Sequence, residues 1–117
     1  MKEHKLPQTL NEWVADAHRI SLDHGWYDVD NRTFGDFCQL FVSEISEAYE
    51  AYRHGADVRA TWIDANGKPE GIPVELVDCL IRLFDWFGQN GLDLQAIATT
   101  KHTYNKQRPY RHGNKVT

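Results

Sequence analysis

Apolar and polar positions along the chain fall into four stretches of helical period, separated by breaks marked with glycine and proline. The first stretch opens at Thr9, with Glu12 three residues on as a capping-box partner. Its apolar positions Leu10, Trp13, Val14, Ala17 and Ile20 keep helical spacing to about Asp23, and Gly25 stops it. A polar loop through Arg32 follows, carrying the adjacent aromatics Trp26 and Tyr27. The second helix starts near Thr33 or Phe34 and reaches Arg53, where His54-Gly55 ends it. Residues 54 to 73 form a long connection, within which Ala60 to Pro69 reads as a short strand or hairpin turning at Asn66-Gly67. Pro73 suits the first turn of a third helix, and Gly88 to Gly91 breaks that helix. A fourth runs from Leu92 or Asp93 to about Lys106, ahead of Pro109. This pattern predicts one all-α domain over residues 1–117, a four-helix bundle with a basic, mobile tail at about 110–117.

The third helix has unusual proportions. From Val74 to Phe87 ten residues of fourteen are apolar, and the polar ones are Glu75, Asp78, Arg82 and Asp85. At helical spacing these four fall within an arc of roughly 80°. A solvated surface helix has a broad polar face and a narrow apolar stripe. Here the proportions are inverted, so most of this helix is expected to be covered by protein. Glu75 and Asp78 lie side by side at i, i+3. Arg82 is placed to answer Asp78 at i+4 or Asp85 at i+3.

The second helix shows the matching anomaly. Gln39, Ser43, Ser46, Glu47 and Glu50 share its broad polar face, but Glu44 does not sit with them. Phe37, Leu40, Ala48 and Ala51 all fall within about 40° of Glu44 on the wheel. A carboxylate in the middle of an apolar face is a poor choice for a merely structural helix. Glu47 joins it at the edge. On the fourth helix Lys101, Asn105 and Arg108 prolong the apolar side formed by Leu94, Ile97, Ala98 and Tyr104.

Composition narrows the function classes. A chain of 117 residues has room for one core, and a net charge of −4 argues against general nucleic-acid binding by charge. No apolar run approaches the ~20 residues of a membrane span, and the N-terminal residues lack the apolar core of a signal peptide. Cys38 and Cys79 lie in apolar helical patterns. They are expected to be reduced thiols of a cytoplasmic protein, although two cysteines leave room for one disulfide. The six histidines show no zinc-like spacing, and no phosphate loop, nucleophile elbow or Glu-x-x-His pair is present.

Two acidic i, i+3 pairs on helices that can pack antiparallel point to an internal metal site. Like charges ~5 Å apart repel by roughly 3 kcal/mol at an effective dielectric of 20, so three or four carboxylates would not converge without cations. All-oxygen ligands favour Mg²⁺ or Mn²⁺ over zinc. Such ions complete their shells with water and substrate phosphate, and Lys101, Asn105 and Arg108 would neutralise the oxygens the metal does not reach. That set of groups suits metal-assisted attack of water on a phosphoanhydride. Trp26 and Tyr27 either cap the core or offer a stacking surface for a flat ligand.

These residues carry a resemblance. Glu44-Ile-Ser-Glu47 and Glu75-Leu-Val-Asp78 are similar to the Glu-x-x-Glu and Glu-x-x-Asp signature of the all-α nucleoside triphosphate pyrophosphohydrolases of the MazG type. The context resembles it too: Ser43 to Ala48 continuing to Arg53, Gly67 to Leu76, and Lys101-x-x-Tyr104-Asn105-Lys106-x-Arg108-Pro109-x-x-His112-Gly113. The resemblance spans about residues 24 to 115. It implies cleavage of a (d)NTP between the α- and β-phosphates, giving the monophosphate and pyrophosphate, in nucleotide-pool house-cleaning. Glu44, Glu47, Glu75 and Asp78 would then carry Mg²⁺, or Mn²⁺ in its place, and one of them would orient water. Lys101, Asn105 and Arg108 would contact phosphates, with Trp26, Tyr27 and the first helix selecting the base. A homodimer or homotetramer is implied as well, which suits a third helix that is apolar nearly all round. One departure bears on metal number and on which carboxylate activates water: where many members have two adjacent glutamates, the first of those positions is Ser43. The competing reading is a non-catalytic helical interaction protein, whose acids bind metal structurally or pair with Lys101 and Arg108. A related hydrolase of other diphosphates would share the metal site.

Overall fold

The computed structural model describes residues 5–29 and 31–109. Four helices carry the fold: α1 (Leu10–Asp23), α2 (Phe34–Arg53), α3 (Ile72–Gln89) and α4 (Leu94–Lys106). A two-stranded antiparallel ladder, β1 (Trp62–Ile63) and β2 (Pro69–Glu70), sits in the long connection between α2 and α3. The described residues are therefore all-α apart from that hairpin. His112 and Gly113 of the C-terminal motif, and the tail from 110 on, lie outside the described residues.

Local chemistry explains where the elements start and stop. Thr9 and Glu12 exchange backbone-to-side-chain bonds of 3.0 and 3.1 Å at the start of α1. Thr33 and Asp36 do the same at α2, at 2.9 and 3.1 Å. Both are reciprocal capping boxes that satisfy orphan N–H donors. In the hairpin, Asp64 accepts from the backbone N–H groups of Asn66 and Lys68 at 2.8 and 3.0 Å, which shapes the turn expected at Asn66-Gly67. Gly71 precedes α3 with a φ of 124°, and a Cβ there would lie 2.3 Å from the Ala60 carbonyl oxygen. Only glycine fits that crossing.

α3 is the central element. α1 and α2 both pack extensively against it. The pairings Phe41 with Cys79, Glu44 with Asp78 and Glu47 with Glu75 descend along α3 as they climb α2, so the two helices run antiparallel. On the other side, Gly88 meets α1 so closely that a Cβ would lie 2.5 Å from the His18 Cβ and 3.3 Å from the Val14 carbonyl. The break expected between Gly88 and Gly91 falls at the far end of that stretch: α3 runs through Gly88 to Gln89, and the chain turns at Asn90-Gly91, where Gly91 has a φ of 62°. Gly88 is a packing glycine that lets two helix backbones approach.

One expectation is corrected. The packed bundle consists of α1, α2 and α3, while α4 lies against α1 and none of its residues is buried. Asn11 pins α4 at its start, donating to Asp93 at 2.9 Å and accepting from the Gln95 N–H at 3.0 Å. Most of α3 is covered, as expected, but one flank is not. Leu76, Val77, Leu80 and Ile81 remain exposed, as do Val42, Ile45, Tyr49 and Tyr52 on α2. With only two helices packed on α3, one apolar flank has no cover among the described residues. Among the described residues, no helix is long and apolar enough to cross a membrane.

Candidate metal centre

The antiparallel register of α2 and α3 brings the two acidic motifs face to face. Glu44, Glu75 and Asp78 each present a carboxylate oxygen, and the three oxygens lie within 4.8 Å of one another. Glu44 is only 7% exposed, as its place on the apolar face of α2 requires. Glu47 is exposed and lies beside Glu75. Burial, then the hydrogen bond and charge of Glu47, then the charges of Asp78 and Glu44 raise the Glu75 pKa above its ordinary 4.5. Burial and Glu44 raise Asp78 above 3.8, while Arg82 pulls it the other way. Both shifts mean that negative charge is crowded here beyond what the surroundings neutralise. Three convergent carboxylate oxygens with no nitrogen or sulfur among them fit a hard divalent cation that keeps positions for water and phosphate.

Arg82 does not pair with Asp78 or Asp85 along its own helix. It crosses to α2, where its Nε donates to Glu44 Oε1 at 2.7 Å. Asp85, only 4% exposed, is held from α1 instead. His18 Nδ1 lies 2.8 Å from one of its oxygens, and Ser21 Oγ donates to the other at 2.9 Å. The polar stripe of α3 thus meets two helices: its first half faces α2 and its far end faces α1. A cavity of about 270 Å³ opens between these groups, lined by Ser21, Trp26, Glu44, Asp78, Ile81, Arg82 and Asp85.

The two aromatics part company. Trp26 lines this cavity, and its indole N–H is buried without a hydrogen-bonding partner. The Arg32 guanidinium lies 3.8 Å from the Trp26 ring centre and that of Arg82 lies 5.1 Å from it. Tyr27 does not line the cavity; its ring packs edge-on against His18 at 5.4 Å. Its hydroxyl is buried without a partner of good geometry, and burial, followed by the neighbouring Asp85, pushes its pKa well above the ordinary 10.0.

Lys101, Asn105 and Arg108 are not brought to the carboxylates within one chain. Lys101 of α4 and Arg108, just beyond its end, lie 5.0 and 5.8 Å from the ring centre of Tyr104 on α4. Among the described residues no ion pair joins them to Glu44, Glu47, Glu75 or Asp78. The reading in which those acids serve only as partners for Lys101 and Arg108 therefore lacks its contacts. Sequence reasoning passed over His18, Ser21 and Arg32 as site groups. The signal for the first two was their i, i+3 spacing on α1; nothing local marked Arg32. Comparison with profiles of known protein families, with characterised proteins and with solved structures finds no match to this chain.

Proposed function

We propose that this chain is a divalent-metal-dependent nucleoside triphosphate pyrophosphohydrolase with a helical core of the MazG-like type. One observation carries the reading: the buried Glu44 converges with Glu75 and Asp78 across two helices, beside a polar cavity. Glu44, Glu75 and Asp78 would hold Mg²⁺ or Mn²⁺. When bound, the ion would supply neutralisation of the triphosphate and polarisation of the bond that is cleaved.

The chain's own groups divide the remaining tasks. Glu47 stands outside the three convergent oxygens and beside Glu75, so it is the carboxylate left to accept a proton from attacking water. Attack at the α-phosphorus releases pyrophosphate and leaves the monophosphate. The cavity of about 270 Å³ falls below the ~300–1,000 Å³ typical of sites enclosing a whole drug-sized ligand. It suits the base ring, with Trp26, Ser21 and Asp85 as its walls, while the triphosphate lies over the carboxylates. Lys101, Asn105 and Arg108 reach that triphosphate from a second copy of the chain, seated on the exposed flank of α2 and α3 in a homodimer or homotetramer.

The test is a panel of NTPs and dNTPs with Mg²⁺ or Mn²⁺, read separately for pyrophosphate and orthophosphate. The expected products are pyrophosphate and a nucleoside monophosphate, and Glu44→Gln should abolish turnover with an unchanged far-ultraviolet circular dichroism spectrum. The second reading, a non-catalytic helical protein, draws on the Arg82–Glu44 pair, since a buried acid with its own cation needs no metal. Release of neither product from folded protein would favour it.

A further inference from the structure

Among the described residues the ion pair that reaches the acidic group is internal. Arg82 Nε donates to Glu44 Oε1 at 2.7 Å, with the Glu44 side chain 9% exposed and that of Arg82 31%. A charge-assisted bond of this length occupies one lone pair of that carboxylate oxygen and fixes its direction. The guanidinium is itself held in place beside the Trp26 ring, which Arg32 covers at 3.8 Å. Glu44 is therefore fixed at both ends, by α2 through its backbone and by Arg82 through Oε1, and Oε2 is the oxygen that this bond leaves with both lone pairs open to a cation.

We infer that Arg82 is a positioning residue that restricts Glu44 to ligation through one oxygen and thereby sets which divalent cation the centre takes. The inference rests on the metal-centre reading above. Mg²⁺ and Mn²⁺ suit a site of single oxygens completed by water, Mg²⁺ because it demands near-ideal octahedral geometry at about 2.0–2.1 Å. Ca²⁺ gathers six to eight oxygens at about 2.3–2.6 Å and commonly takes carboxylates through both of theirs. Arg82 withholds the second oxygen of the most deeply buried acid in the group. A lysine at this position would keep the positive charge but not the planar fork that fixes the oxygen.

The experiment measures Mg²⁺, Mn²⁺ and Ca²⁺ binding without nucleotide, by titration calorimetry and by the metal-induced change in Tm. It compares the unaltered chain with Arg82→Gln and Arg82→Lys. Removing a positive charge tightens every divalent cation, so the readout is the ratio of the Ca²⁺ to the Mg²⁺ dissociation constant. Losing a group that orients a metal ligand shifts affinity about 10–100-fold, and the ratio should move by at least about tenfold towards Ca²⁺ in both variants. Arg82→Lys, which leaves no buried charge unpaired, carries the test if Arg82→Gln does not fold. An unchanged ratio in folded Arg82→Lys overturns the inference and leaves the metal centre standing. A shift confined to Arg82→Gln also overturns it, because charge alone would then account for the selectivity. An unaltered chain that binds none of the three ions overturns the metal centre, and this inference with it.

Discussion

At the scale of single residues, the chemistry depends on carboxylates held where their charge is unfavourable. Glu75 and Asp78 bind protons more readily in the folded chain than in the unfolded one, because burial and neighbouring acids raise both pKa values. The sign of the linkage follows. Below the ordinary values of 4.5 and 3.8 both groups are protonated in either state and their repulsion is absent. As pH rises through the raised values, the metal-free chain loses stability from these two groups, and the loss persists above them. A bound cation offsets the repulsion, so Mg²⁺ should stabilise the chain near neutrality by about 2.7 kcal/mol when free metal is 100-fold above its Kd. That gain should shrink as pH falls through the same window. Melting curves with Mg²⁺ and with EDTA across pH check this, and a gain independent of pH would remove Glu75 and Asp78 from the centre. Glu44 was legible as an acid on an apolar face. Its partner was not, since Arg82 had two nearer candidates along its own helix and took neither.

At the scale of elements, the helices were legible because their ends are written locally. Thr9 with Glu12 and Thr33 with Asp36 close reciprocal caps within four residues of chain, independent of any tertiary contact. Gly88 shows the limit of local reading. Glycine weakens a helix by about 1 kcal/mol relative to alanine, so a glycine followed by Gly91 reads as a break. Its real role comes from α1, whose His18 Cβ would stand 2.5 Å from a Cβ at position 88. Gly88→Ala should therefore destabilise the chain although alanine is the better helix former. Overpacking costs about 1–3 kcal/mol, and each kcal/mol lowers the Tm of a small domain by about 4–8 °C. Thermal denaturation monitored by circular dichroism checks the sign: a rise in Tm would mean that α1 and α3 are not pressed together at this point.

At the scale of the whole molecule, an uncovered apolar flank and an isolated set of donors bear on the same question. Leu76, Val77 and Leu80 stand on α3 beside Glu75 and Asp78, and between 43% and 48% of each is exposed. An apolar patch of several such residues beside a site is a common mark of an interface. A second copy seated there would cover the flank and bring its own Lys101, Asn105 and Arg108 towards the carboxylates. Leu80→Asp should then give a monomer in sedimentation and lose activity while keeping its helical spectrum. Mixing two inactive variants, Glu44→Gln and Lys101→Ala, should recover activity that neither has alone. Mixtures that stay inactive would place both sets of groups in one chain.

The amino-acid sequence by itself determined the four helices, the hairpin, and the placing of Glu44, Glu47, Glu75 and Asp78 on faces able to meet. Those features depend on periodicity and on bonds spanning three or four residues, which any reader of the chain can count. Tertiary structure alone decided that Arg82 crosses to Glu44, that Asp85 is held by His18 and Ser21, and that Trp26 turns to the cavity while Tyr27 turns away. It alone separated α4 from the carboxylates. The physical reason is the same in each case. A charged side chain takes the partner that best compensates its burial, and which partners are within reach is set by how the helices pack.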